Sequence, residues 1–183
     1  MADLSVSSRA PQLRVRLATR DDLPGMAAIR VRAWQAAYRE LLPAAYLGGL
    51  DPAAIAETWK PLLDMPDRAR LLVAELPGTG VVGFTNVGAY RLPDGTLDGT
   101  YGEIRSCYVD PGTWRHGAGR ALVRASVELL QESGPRPVRL WVVAENDRAR
   151  RFYERLGFVA DGAHDTYDAG GTTLPTVRYL LPV

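Results

Sequence analysis

Cysteine, lysine and histidine are all scarce in this chain of 183 residues. Cys107 is the only cysteine, which excludes an internal disulfide and any CxxC metal or redox pair. It lies in an apolar, strand-like run, where a small buried hydrophobe is expected. Lys60 is the only lysine, so arginine carries the rest of the positive charge, and guanidinium suits anion binding because its geometry matches phosphate. His116 and His164 are the only histidines; they lie far apart without ligand spacing, and no metal is expected. Neither sign of charge dominates. The net charge of +1 argues against a protein that grips nucleic acid by bulk charge. No apolar run approaches the roughly 20 residues of a membrane span. The opening MADLSVSSRAPQ lacks the apolar core of a signal peptide. A cytoplasmic protein with no membrane partner is the expectation.

The chain has ample apolar material for a core, since 46% of it is hydrophobic. Its length fits one domain over 13–183, preceded by a loose tail over 1–12. RVRLA (Arg14–Ala18) alternates as a strand does. Thr19 and Asp22 form a capping-box pattern, and an apolar stripe predicts a helix to about Tyr38. A short helical turn follows between Pro43 and Gly48-Gly49. Asp51 is an N-cap candidate with Pro52 at the first helical position, for a second helix disturbed near Pro61. The period then becomes that of strands. Ala69–Leu76 and Val81–Tyr90 predict a hairpin about PGTG, and Thr100–Val109 a further long strand. A helix is expected over about Gly119–Glu132, a strongly apolar strand over Pro137–Ala144, and a short helix closed by Gly157. Two last strands fall near Phe158–His164 and Thr173–Leu180. The order implies a mixed α/β fold: a largely antiparallel sheet with a central parallel β-α-β unit.

One loop in this order invites chemistry. Thr100–Val109 runs into DPGTWRHGAGR, and a helix starts at once. A helix N-terminus presents free N–H groups and partial positive charge, and glycine lets a phosphate approach the backbone. Arg115 and Arg120 flank the loop. The plain alternative is a tight β-α turn. GAGRAL lacks the third glycine of a dinucleotide fingerprint, and there is no GK[ST] of a Walker loop.

The run EIRSCYVDPGTWRHGAGRALV, with LWVVAENDRARRFYERLGF after it, resembles the GCN5-related N-acetyltransferase (GNAT) superfamily. In that family a strand leads through Q/R-x-x-G-x-G/A into a helix, and a later strand leads to N-x-x-A-x-x-x-Y-x-x-x-G-F. Asn146, Ala149, Tyr153, Gly157 and Phe158 match the second motif, and the resemblance spans about Leu13 to Leu180. In the first motif Trp114 stands where Gln or Arg is usual. The resemblance implies the GNAT acyl-CoA fold, acetyl-CoA as cosubstrate, and transfer of an acetyl group to a primary amine of a small molecule or a protein, by direct attack. It implies CoA binding at Cys107, Tyr108 and Val109 through backbone amides. The loop Arg115, His116, Gly117, Ala118, Gly119 and Arg120, together with Asn146 and Tyr153, completes that cofactor site. Arg148, Arg150, Arg151 and Arg155 decorate one short helix and are expected as a solvated face, with one of them a candidate for the 3′-phosphate of CoA.

Acetyl transfer from a thioester needs a neutral amine, an oriented carbonyl, a stabilised oxyanion and a thiolate that can leave. An alkylamine is protonated at neutral pH and must lose that proton. The resemblance implies Glu103 as base; the alternative is a solvated strand-end carboxylate. It implies Tyr153 as the acid that protonates the thiolate; the alternative is a core aromatic. Asn146 fits a helix cap as well as a pantetheine contact. Trp34 and Tyr38, four apart on the first helix, form an aromatic acceptor pocket or pack that helix, with Tyr90 and Tyr167 as weaker candidates. The competing function is a non-catalytic acyl-CoA-binding sensor. A monomer or homodimer is expected.

Overall fold

The structure, a computed structural model, describes residues 13–134 and 136–183. The expected tail, Met1–Gln12, lies outside the described residues. Seven strands form one sheet in the order β1-β2-β3-β4-β5-β7-β6 among the described residues. They are β1 (Arg14–Leu17), β2 (Arg70–Leu76), β3 (Gly80–Arg91), β4 (Leu97–Val109), β5 (Val138–Val143), β6 (Val159–Ala169) and β7 (Thr172–Leu181). The helices are α1 (Leu23–Ala37), α2 (Ala44–Gly48), α3 (Pro52–Leu63), α4 (Ala118–Leu130) and α5 (Asp147–Glu154). Only β4 and β5 pair in parallel; every other neighbouring pair is antiparallel. This is the mixed sheet that the element order implies.

Side-chain oxygens set the turn ahead of α1 and the start of α3. The Asp22 carboxylate accepts from the Thr19 N–H at 2.7 Å and from its hydroxyl at 3.0 Å, which closes a short 3-10 turn ahead of α1. The same carboxylate accepts two bonds from Arg16 on β1, so the turn is tied to the sheet, and this pairing holds the Asp22 carboxyl below its ordinary range. Asp51 caps α3 by accepting from the Ala53 N–H. Pro61 sits inside α3, which ends two residues later.

The sheet is covered on both faces. Leu71, Val73 and Phe84 pack against α1 and α3 through Met26, Ile29 and Ala56. Leu72, Ala74, Ile104, Val138 and Leu140 pack against Leu122 and Val123 of α4. Alternate residues of β2 thus enter opposite cores, which is why its sequence reads as an unbroken apolar run. Each such buried Leu or Val side chain contributes about 1.5–3 kcal/mol relative to exposure.

Two irregularities in β4 position the site. Asn86 of β3 faces Ser106 while Val87 faces Ile104, so Arg105 is an extra residue, a β-bulge. The parallel ladder to β5 contains only Gly102 opposite Val138 and Glu103 opposite Arg139. β5 pairs β7 on its other edge along its whole length, and beyond Glu103 and Arg139 β4 keeps only β3. The two strands splay apart, and one edge of Ile104–Val109 is unpaired among the described residues.

Candidate active site

The splay opens a cleft of about 1150 Å³, somewhat larger than a usual small-molecule site. Its floor is the free edge of β4. One end meets the start of α4, and the other passes under α1 towards β6 and β7. Free N–H and C=O groups along a strand edge can bond an extended ligand that carries amides.

At the α4 end, Gly117 adopts φ 86°, a left-handed turn that L side chains rarely adopt, and the helix begins at the next residue. The N–H groups of the first turn have no partner within the helix. Arg115 is also left-handed, at φ 71°, the only such non-glycine among the described residues. Strained backbone of this kind collects at ligand loops. Gly119 serves packing: a Cβ there would lie 3.2 Å from the Phe152 ring. Trp114 has a defined role. Its indole N–H donates to the Val109 carbonyl at 2.8 Å, and the Arg148 guanidinium lies 3.0 Å from its ring centroid. Burial and the neighbouring Arg115 charge both lower the pKa of Arg148. Two cations therefore share this end of the cleft, an arrangement that suits an anion. His116 turns away: its exposed ring faces the carbonyl oxygens of Thr113 and Trp114, outside the cleft lining.

Tyr153 is buried, with its ring edge-on to Phe152 and Phe158, and it also lines the cleft. Burial first, then the neighbouring Cys107, Tyr108 and Tyr38, raise its pKa well above that of a free phenol. The hydroxyl therefore stays protonated and can donate. Cys107 lines the same cleft, and burial pushes its thiol up to about 12, which leaves it a poor nucleophile at neutral pH. Asn146 caps α5 by accepting from the Ala149 N–H at 3.1 Å while bordering the cleft, so its two readings coexist.

Glu103 is not a solvated strand-end carboxylate; it is 3% exposed. Its Oε2 accepts from the Arg91 backbone N–H at 3.2 Å, Arg91 Nε at 3.0 Å and Arg105 Nε at 3.3 Å, and Oε1 accepts from Arg91 Nη2 at 3.2 Å. It borders the cleft just below the bulge.

Under α1, Trp34 and Tyr38 meet edge-on, with centroids 5.3 Å apart. Tyr167 of β6 stands 6.0 Å from Trp34, and the Trp34 indole donates to the Tyr108 hydroxyl at 3.0 Å. The pair therefore packs the helix and lines the cleft at once. Tyr108 contributes its side chain as well as its backbone. Tyr90 lies elsewhere, beneath Arg139. Sequence reasoning missed Arg91, Arg105, Trp141 and Asp165, all of which line the cleft. Arg105 was accessible in principle, two residues along the strand from Glu103; the others come from distant segments.

A family model described as the acetyltransferase (GNAT) family matches residues 32–158. The chain is 30% identical over 168 residues to YuaI of Bacillus subtilis strain 168, an uncharacterized N-acetyltransferase, and the match covers 92% of each. Ribosomal-protein-alanine N-acetyltransferase of Brucella melitensis has a similar fold, with a TM-score of 0.70 at 23% identity over 93% of this chain and 99% of that one. So does yncA of Salmonella typhimurium, solved with its cofactor acetyl-CoA, with a TM-score of 0.65 at 20% identity over 93% of each chain.

Proposed function

The chain belongs to the acetyltransferase (GNAT) family and is thereby an acetyl-CoA-dependent N-acetyltransferase, and we propose that it acetylates a primary amine by direct attack within a ternary complex. The splay of β4 from β5 carries this reading. It leaves a strand edge for the pantetheine amides and leads it to the start of α4 for the pyrophosphate. Arg115 and Arg148 supply the countercharge there.

The amine nitrogen attacks the thioester carbonyl carbon, and a free N–H of the β4 edge takes the oxyanion. As the C–N bond forms and the C–S bond breaks, the amine proton leaves towards Glu103 and the thiolate takes the Tyr153 proton. Both Glu103 oxygens are engaged by arginines, so Glu103 receives that proton through water. Trp34, Tyr38 and Tyr167 wall the acceptor. The acceptor is a small molecule or a protein amine, and near-neutral net charge argues against nucleic acid. No helix of the described residues is long and apolar enough to cross a membrane. We place the reaction in the cytoplasm, where acetyl-CoA is formed and used, with the protein a monomer or homodimer.

The test is incubation with acetyl-CoA and a panel of primary amines, reading free CoA thiol and the mass of the product. Acetylated product is expected. CoA binding with no product from any amine would overturn the catalytic reading in favour of an acyl-CoA-binding module.

A further inference from the structure

Four arginines gather about Tyr90 where β3, β4, β5 and β7 run side by side, and two of them, Arg91 and Arg105, line the cleft. Arg91 ends β3, Arg105 forms the β4 bulge, Arg139 of β5 pairs opposite Glu103, and Arg178 of β7 pairs opposite Trp141. Two carboxylates contact these four guanidiniums. Glu103 is shared by Arg91 and Arg105, and Asp161 takes Arg178 at 2.8 Å. Arg139 has no carboxylate within ion-pair distance among the described residues. It stacks on aromatic faces instead, 3.3 Å from the Tyr101 centroid and 4.9 Å from that of Tyr90, and its buried Nε lacks a partner.

Arg105 is less solvated than Arg91 or Arg178, with its side chain 9% exposed. Burial first, then the Arg91 charge, lower its pKa from the ordinary arginine value. A desolvated cation that shares one carboxylate with a second cation is under-neutralised, and it gains most from an added anion. Arg91 and Arg105 both line the cleft beside the bulge, and Trp141 of β5 is part of the same lining. The other acid in the lining, Asp165, belongs to β6, opposite Thr176, and makes no ion pair with either arginine.

We infer that the acceptor amine carries a carboxylate, which Arg91 and Arg105 hold while the amine meets the thioester. This rests on the acetyltransferase reading and names the substrate class of that same site. Planar guanidiniums match a carboxylate in geometry, and their charge repels a polyamine. Arg91 is half exposed, so it can swing to a ligand without breaking the core.

The test pairs free amino acids that have apolar or aromatic side chains with their α-amides. Intrinsic reactivity favours the amides, whose less basic amine is more often neutral. A preference for the acids therefore comes from the site. The acids are expected to be used about tenfold or more better in kcat/KM. Arg91→Gln is expected to lower kcat/KM for the acids by about tenfold to a hundredfold and erase the preference, the usual range for a hydrogen bond to a charged group. Arg91→Lys is expected to recover part of it. Equal use of acids and amides, or a preference that survives Arg91→Gln, overturns the inference. Calorimetry on the CoA-saturated protein separates this from failure of catalysis. Acids that bind where amides do not, without turnover, keep the anionic site and overturn the catalytic reading. No binding of either class overturns the anionic site.

Discussion

Tyr153→Phe separates chemistry from packing. The ring is held edge-on by Phe152 and Phe158, with centroids 5.1 and 5.7 Å away, and phenylalanine keeps both contacts. The hydroxyl faces the cleft, and no described residue hydrogen-bonds it, so its loss changes stability by less than about 1 kcal/mol. For a chain of this length that is a Tm shift of at most about 2–4 °C. A general acid contributes about 10²- to 10⁴-fold, so kcat is expected to fall by that factor, which corresponds to about 3–5 kcal/mol of barrier. The raised pKa of Tyr153 keeps its proton in place through neutral and mildly alkaline pH, so wild-type activity has no alkaline limb from this group. The assay is steady-state CoA release at saturating acetyl-CoA, with a thermal melt on the same sample. A variant that melts normally and keeps kcat within about twofold of wild type would return Tyr153 to the core and leave the thiolate without this acid.

Glu103→Gln should lower kcat/KM, and more at pH 6 than at pH 9, where more of the amine is already neutral; an unaltered pH–rate profile would remove Glu103 from the mechanism. Trp114→Ala loses one hydrogen bond and one cation–π contact, about 1–2.5 kcal/mol together, so CoA affinity by calorimetry should drop about five- to seventyfold. Unchanged affinity would mean that the indole does not hold the loop. Cys107 has a pKa raised in the fold to about 12, so between pH 9 and 10 the unfolded chain loses a proton that the folded one keeps. Stability should therefore fall as pH rises through that window, by up to about 1.4 kcal/mol per pH unit. Urea unfolding of Cys107→Ser should show a shallower decline, and an equal slope in both proteins refutes the assignment.

Elements bounded by local signals were legible in the sequence. Asp51 and Asn146 cap their helices, and Gly157 closes α5 at φ 91°. Elements that depend on a neighbour were less so. β4 starts at Leu97, three residues earlier than Thr100, because Arg91 and Tyr90 pair with Leu97 and Asp98. The segment is exposed and polar, with no alternation to reveal it. β6 extends to Ala169 although nearly every residue in it is exposed; the ladder to β7, the Asp161–Arg178 ion pair and the packing of Tyr167 and Ala169 hold it. α4 gains Ala118 because the turn is made entirely by Gly117. The site followed the same rule. Residues within one motif were found, whereas the arginines around Glu103 reach it through a hairpin pairing and a bulge.

On the proposed function, the departure at Trp114 lets a distant residue take the motif's role. Gln or Arg at that position would bring a polar or charged group from the loop itself. Here the indole anchors the loop to the last carbonyl of β4, and its ring face carries Arg148 from α5, 34 positions later in the chain. The charge is displaced from loop to helix, yet it stays beside Arg115, as its lowered pKa records. An arginine stacked on a ring has lost side-chain freedom before any ligand arrives, so less entropy remains to be lost on binding. On the proposed function, the same stack ties α4 to α5 across the mouth of the cleft. The helix that would receive the pyrophosphate and the helix that carries Tyr153 are then aligned by this stack as well as by the packing of Gly119 on Phe152, and disturbing Trp114 should perturb binding and proton transfer together.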